Sequence, residues 1–168
     1  MLKILGIVCL FAGFLGLSLD KINMDRQKLD NLREIRSLVD FLHGEISYSH
    51  IPIPDICKEY IGRCGGKTKV FLQELSETID KEQGKGFETQ WEDVLKKQVM
   101  KKEEKDCLQE LGRCFGFSDI GLQLSKIERY RCDIDKKILH YEKNFQDNKK
   151  LILYFGVMSG LLLSIILL

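Results

Sequence analysis

Proline is scarce in this chain: two among 168 residues, both inside the stretch GEISYSHIPIP that runs from Gly44 to Pro54. A chain that otherwise avoids the residue leaves long helices uninterrupted and reserves its breaks for one place. Histidine is also scarce, and His43, His50 and His140 stand apart, with no spacing that suits a metal or catalytic pair. A charge excess is missing too, with 26 basic and 25 acidic residues giving a net charge of +1. That balance argues against a nucleic-acid binder, whose footprint is a concentrated basic face. Alternating apolar and polar runs that would read as strands are absent, as is any internal repeat.

The six cysteines do not form a metal or redox motif. Cys57 and Cys64, and again Cys107 and Cys114, are seven apart, wider than zinc ligand pairs prefer. No pair has the two intervening residues of a redox motif. Seven is two helical turns, so each pair shares a helix face and packs as small hydrophobes. The glycines of GRCGGK, from Gly62 to Lys67, lack the spacing and preceding strand of a phosphate loop. No residue set satisfies together the needs of nucleophile, base and oxyanion donor. The expectation is a protein that is not an enzyme and carries no cofactor or metal.

Two long uncharged runs are present. ILGIVCLFAGFLGLSL occupies Ile4–Leu19 and LILYFGVMSGLLLSIILL occupies Leu151–Leu168. At about 1.5 Å per residue the second reaches about 27 Å, enough for a hydrocarbon core of about 30 Å. For the first, two readings fit: a spanning helix, or a cleaved signal peptide with Lys3 as its basic region and Gly16-Leu17-Ser18 at the cleavage spacing. Outside residues 20–150 the only charged side chain is Lys3, and Lys and Arg cluster just inside both runs. The positive-inside rule then keeps the middle of the chain in the cytosol. The expected organisation is an N-terminal segment at 1–19, a cytosolic helical body at 20–150 and a C-terminal membrane segment at 151–168. Gly156 and Gly160, four apart, offer a small-residue face for packing between helices in lipid.

Within the body, Leu32, Ile35, Val39, Leu42 and Ile46 step by three and four and predict one buried helical stripe, widened by Leu38 and Phe41. Pro52 and Pro54 end that helix, and Pro54 with Asp55 suits the first turn of the next, whose apolar face is Ile56, Tyr60 and Ile61. Gly65-Gly66 is expected to close it. A third helix from near Thr68 should bury Val70, Phe71, Leu72, Leu75 and Ile79. Thr89 through Glu92 fits a capping box, followed by an inward face of Trp91, Val94, Leu95 and Val99. Lys96–Lys105 is densely charged and reads as a solvated face containing a kink or connection. Cys107, Leu108, Leu111, Cys114 and Phe115 predict a fifth helix closed by Gly116. Ser118 is the expected N-cap of a sixth, with Asp119 in its first turn. Its stripe from Ile120 through Leu124, Ile127, Ile134, Ile138, Tyr141 and Phe145 is broken only at Arg131. The fold class is therefore all-α: a membrane-anchored bundle of about six helices, with long antiparallel first and last helices.

Three stretches carry a resemblance. EISYSHIPIP is similar to the Glu-Ile-x-Tyr-x-x-Thr-Pro-Leu-Pro signature of the stage III sporulation protein AB family. LGRCFGFSDIGLQ, Leu111 to Gln123, resembles that family's second signature, and YFGVMSGLLLSIILL its terminal anchor. Ile51 departs from the usual threonine and Leu111 from the usual phenylalanine. The resemblance implies a part in a mother-cell membrane assembly that contributes to a channel to the forespore. It also implies a helical domain like the cytosolic domains of general secretion F platform proteins. Its expected partners are a cytosolic secretion-type ATPase and other membrane proteins of the assembly, with self-association open. Glu45, Tyr48, Pro52 and Pro54, with Gly116, Ser118, Asp119 and Gln123, are the motif residues expected to shape the surface. Glu45 and Tyr48 are expected to satisfy buried hydrogen bonds at the proline corner. A small transporter or channel subunit is the competing function. It would need polar residues lining the bilayer, and the uncharged runs offer few.

Overall fold

The computed structural model describes the backbone of residues 2–49, 51–82, 84–117 and 119–167, and side chains at 20–49, 51–82, 84–117, 119–147, 149–152, 154 and 158. Among these residues there are six α-helices and no strand: α1 Leu2–Tyr48, α2 Ile53–Tyr60, α3 Gly66–Lys81, α4 Phe87–Lys97, α5 Lys102–Gly112 and α6 Ile120–Leu167. The first and last are 47 and 48 residues long, as stretches without proline allow. The chain divides into two compact units, residues 30–138 and the pair of segments 1–29 and 139–168. In the second unit, Asp25 and Lys28 of α1 and Tyr141, Asn144 and Phe145 of α6 line a common cleft. Among the described residues no helix is long and apolar enough to cross a membrane. The uncharged runs expected to do so, and the Gly156 and Gly160 packing face, lie almost wholly outside the described side chains.

The unit of residues 30–138 is built around α1. Leu32, Ile35, Leu38, Val39, Leu42 and Ile46 are all buried, as the stripe predicts, and Ile127, Tyr130 and Ile134 of α6 are buried with them. Burying side chains of this size contributes about 1.5–3 kcal/mol each. The direction of α6 against α1 is fixed by charge. Arg36 Nε donates to Asp135 at 2.5 Å, Arg131 Nε lies 2.9 Å from Asp40, and His43 lies 3.7 Å from Glu128. Each step along α1 is matched by an equal step back along α6, so the helices run antiparallel. The break at Arg131 thus has a reason: the stripe gives up one apolar position to an ion pair across the helices. Arg36 also pairs with Asp40 on its own helix. Burial opposes its charge, but the bonds from Asp135 and Asp40 prevail and hold its pKa above the ordinary arginine value.

The short helices pack around Trp91. Phe71 and Phe115 meet its ring edge-on at centroid distances of 4.7 and 5.1 Å, Phe87 lies 5.9 Å away, and its indole N–H donates to the Leu108 carbonyl at 2.8 Å. A buried tryptophan needs that acceptor. Cys57, Cys107 and Cys114 are buried and pack as small hydrophobes, but Cys64 and Cys114 lie beyond the ends of α2 and α5, so neither pair shares a helix face as the spacing of seven predicts.

Several local expectations are overturned. α4 begins at Phe87 with Gly86 as its N-cap, so Thr89 lies inside the helix and makes no capping box. Phe87, edge-on to Phe115 at a centroid distance of 5.4 Å, anchors the earlier start. Val99 is 92% exposed beyond the end of α4, and Val70 is also exposed. The adjacent Phe71 and Leu72 take the inward arc of α3, and no helix is buried all round here. Gly65 and Gly66 open α3 rather than close α2. With no side chain of its own to cap α3, Gly65 donates its N–H to Glu34 of α1 at 2.5 Å. α5 ends at Gly112, four residues before Gly116. Glu104, inside the run expected to be solvated, is buried; its Oε1 accepts from Asn31 at 2.7 Å and its Oε2 lies 3.6 Å from Lys67.

Candidate interaction surface

The antiparallel register of α1 and α6 carries Tyr48, the last residue of α1, to the level of the first turns of α6, near Gln123. Two motifs some seventy positions apart in sequence therefore meet at one end of the unit of residues 30–138. One brings Glu45, Tyr48, Pro52 and Pro54; the other brings Gly116, Asp119 and Gln123.

At the first, α1 stops where proline would deny it a donor. The Ser49 N–H still reaches the Glu45 carbonyl at 2.8 Å, and the Ser49 hydroxyl donates to the Glu45 carboxylate at 2.7 Å. Pro52, with φ −58° and ψ 139°, is the N-cap of α2, and Pro54 sits in its first turn, where a missing amide is harmless. The Pro52 carbonyl accepts from Asp55 and Ile56 at 2.9 and 3.2 Å. Tyr48 corrects an expectation: it is 88% exposed and satisfies no buried group at the corner.

At the second, Gly116 has φ +85°, the left-handed region, and a Cβ there would stand 2.9 Å from a Glu88 carboxylate oxygen. Both constraints favour glycine. The expected capping role of Ser118 lies outside the described residues. The oxygens that cap α6 belong to Asp119, which accepts from the N–H of Gly121 at 3.1 Å and of Leu122 at 3.3 Å. Asp119 is thus the N-cap rather than a first-turn residue, and it also meets the positive end of the helix dipole. Gln123 is buried.

Sequence reasoning missed the apolar members of this end. Ile51, Ile120 and Leu122 are 37%, 46% and 46% exposed, although the spacing places Ile120 in the buried stripe. It begins α6 before the helix is covered on that side. Tyr48 and these three present apolar surface at the end where the two motifs meet. The fixed corner and the capped helix hold them in place.

Burial pushes Cys57 up to about 12, and raises Cys64, Cys107 and Cys114 as well, the reverse of a reactive thiolate. Among the described residues no group of three or more His, Cys, Asp or Glu could hold a metal ion.

The sequence profile of the family described as stage III sporulation protein AB matches residues 3–168. A stage III sporulation protein AB of Bacillus subtilis (strain 168) is 27% identical over 173 residues, covering 99% of each chain. A solved structure described as stage III sporulation protein AB (SpoIIIAB) superposes with a TM-score of 0.61 at 22% identity. It covers 69% of this chain and 94% of its own. At that identity the likeness is one of fold.

Proposed function

The chain belongs to the stage III sporulation protein AB family, and on that footing we propose that it is a non-enzymatic membrane platform in a channel assembly between mother cell and forespore. In this reading residues 4–19 and 151–168 anchor it in the mother-cell membrane. The charged body faces the cytosol and couples a secretion-type ATPase to the membrane proteins of the assembly. The Lys and Arg flanks of both runs support the topology. α1 contains the first run and α6 the second, and both helices also supply the body.

The observation that carries the reading is the exposure of Tyr48, Ile51, Ile120 and Leu122 at the end where the two motifs meet. An apolar group held rigidly by a proline corner and a capped helix loses little freedom on docking, so more of its burial appears as affinity. Aromatic anchors of this kind carry a large share of interface energy.

The test is capture of the ATPase of the same assembly by the full chain in detergent, with wild type and Tyr48→Ala compared. Tyr48→Ala should melt like wild type and retain much less ATPase. Equal capture by the two proteins would reject this surface as the docking site. Protein alone in liposomes should pass neither ions nor small solutes; substantial flux would replace the platform with a channel.

A further inference from the structure

A groove of about 550 Å³ lies between the end of α5 and the first third of α6, within the unit of residues 30–138. Lys126, Arg129, Asp133 and Lys137 form its α6 wall. Their steps of three and four place them along one side of the helix over about 16 Å. Its floor is apolar. Cys114 and Tyr130 are both buried, the Tyr130 hydroxyl is tied to the Cys107 carbonyl at 2.7 Å, and burial pushes the Cys114 thiol up. The floor is therefore neutral and fixed.

The charges on the wall are unevenly neutralised. Glu110 accepts from Lys137 at 2.7 Å, and Asp133 from Lys136 at 3.0 Å. Lys126 instead stands over the Phe117 ring, 3.5 Å from its centroid. Arg129 is exposed and pairs with no carboxylate among the described residues. One end of the groove thus carries two cations a single turn apart with no anion between them, and the other carries a closed pair.

We propose that this groove docks an acidic peptide segment of a protein partner. Two of the segment's carboxylates meet Lys126 and Arg129, and an apolar side chain between them covers Cys114 and Tyr130. The guanidinium of Arg129 offers a planar fork that matches a carboxylate, and its partner-free state means no internal pair must break first. Beyond Arg129 the lysines are already paired with Glu110 and Asp133, so the groove offers no continuous run of free cations to a polyanion or an anionic lipid surface. A small inorganic anion would leave the apolar floor uncovered. The groove is built from residues other than the apolar end of the bundle, and the proposal does not rest on the platform reading.

The test uses the full chain in detergent and a fluorescein-labelled peptide of alternating glutamate and leucine pairs, followed by anisotropy. Binding should be saturable and should weaken about tenfold in Arg129→Glu, since close complementary charges couple by a kcal/mol or more. Arg129→Glu should keep the wild-type circular dichroism, and it should gain affinity for the lysine–leucine counterpart of the peptide. Inorganic phosphate and phosphatidylglycerol vesicles should not displace the acidic peptide. Unsaturable binding, equal binding to Arg129→Glu, or displacement by phosphate or by vesicles would overturn the proposal. The last two outcomes would assign the cations to a simple anion or to lipid.

Discussion

Gly112 lies so close beneath Trp91 that a Cβ built on it would stand 2.5 Å from the indole Cδ1 and 2.7 Å from Nε1. α5 presses its last turn against the largest side chain of the core, and the same approach brings the Leu108 carbonyl to the indole N–H. Helix propensity and packing therefore make opposite demands at this position.

Propensity alone would have Gly112→Ala stabilise the protein. The contact distances decide otherwise: the indole is fully buried and cannot yield, and overpacking of this kind costs about 1–3 kcal/mol. Gly44, inside α1, has nothing within 4 Å of the same added atom, so Gly44→Ala should stabilise by about 0.5–1 kcal/mol. Thermal melts of the two variants should move in opposite directions.

Glu104 should be sensitive where its neighbours are not. Glu104→Ala removes the acceptor of the half-buried Asn31 amide, which donates to it at 2.7 Å, and loss of a charge-assisted hydrogen bond of this kind costs about 1–2 kcal/mol. Lys102, exposed in the same run, should tolerate alanine within about 0.5 kcal/mol. Urea unfolding of both variants measures the contrast.

Asp119→Ala should lose about 1 kcal/mol by uncapping α6, with Asp119→Asn retaining most of the cap. Because the cap holds the apolar end in place, Asp119→Ala should also weaken ATPase capture, and Asp119→Asn should not. Melting and capture read together check this.

Alkaline stability should fall in a definite window. Burial raises Cys57 from an ordinary value of 9.0 to about 12, and Tyr60 from 10.0 to about 12. Each group is neutral when protonated, so above pH 9 the unfolded chain releases its protons first. The stability linked to these groups is complete below about pH 9 and is lost as pH climbs toward 12. Cys57→Ala, though less stable at neutral pH, should lose stability less steeply across that interval in a series of melts.

Some of this architecture was legible residue by residue. The stripe from Leu32 to Ile46 and the stop at the proline corner read correctly, since periodicity and a missing amide act on neighbours a few positions apart. The start of α4 was misread because Thr89 and Glu92 satisfy a local capping pattern. The helix instead starts at Phe87, whose ring packs edge-on against Phe115, 28 positions away. Tyr48 was misread for a similar reason: a motif signals that a residue matters, but not whether its side chain turns in or out.

By itself the sequence determined the helical class, the long first and last helices and the position of the sharp corner, because each follows from short-range backbone sterics and the period of apolar residues. The tertiary structure alone decided which charges became ion pairs between helices. It also decided that Glu104 is buried, that Glu34 caps a helix 31 residues away, and that the two motifs share one end. These depend on the antiparallel docking of α6 on α1, and a register between distant segments is settled by packing and charge across space, which no local pattern encodes.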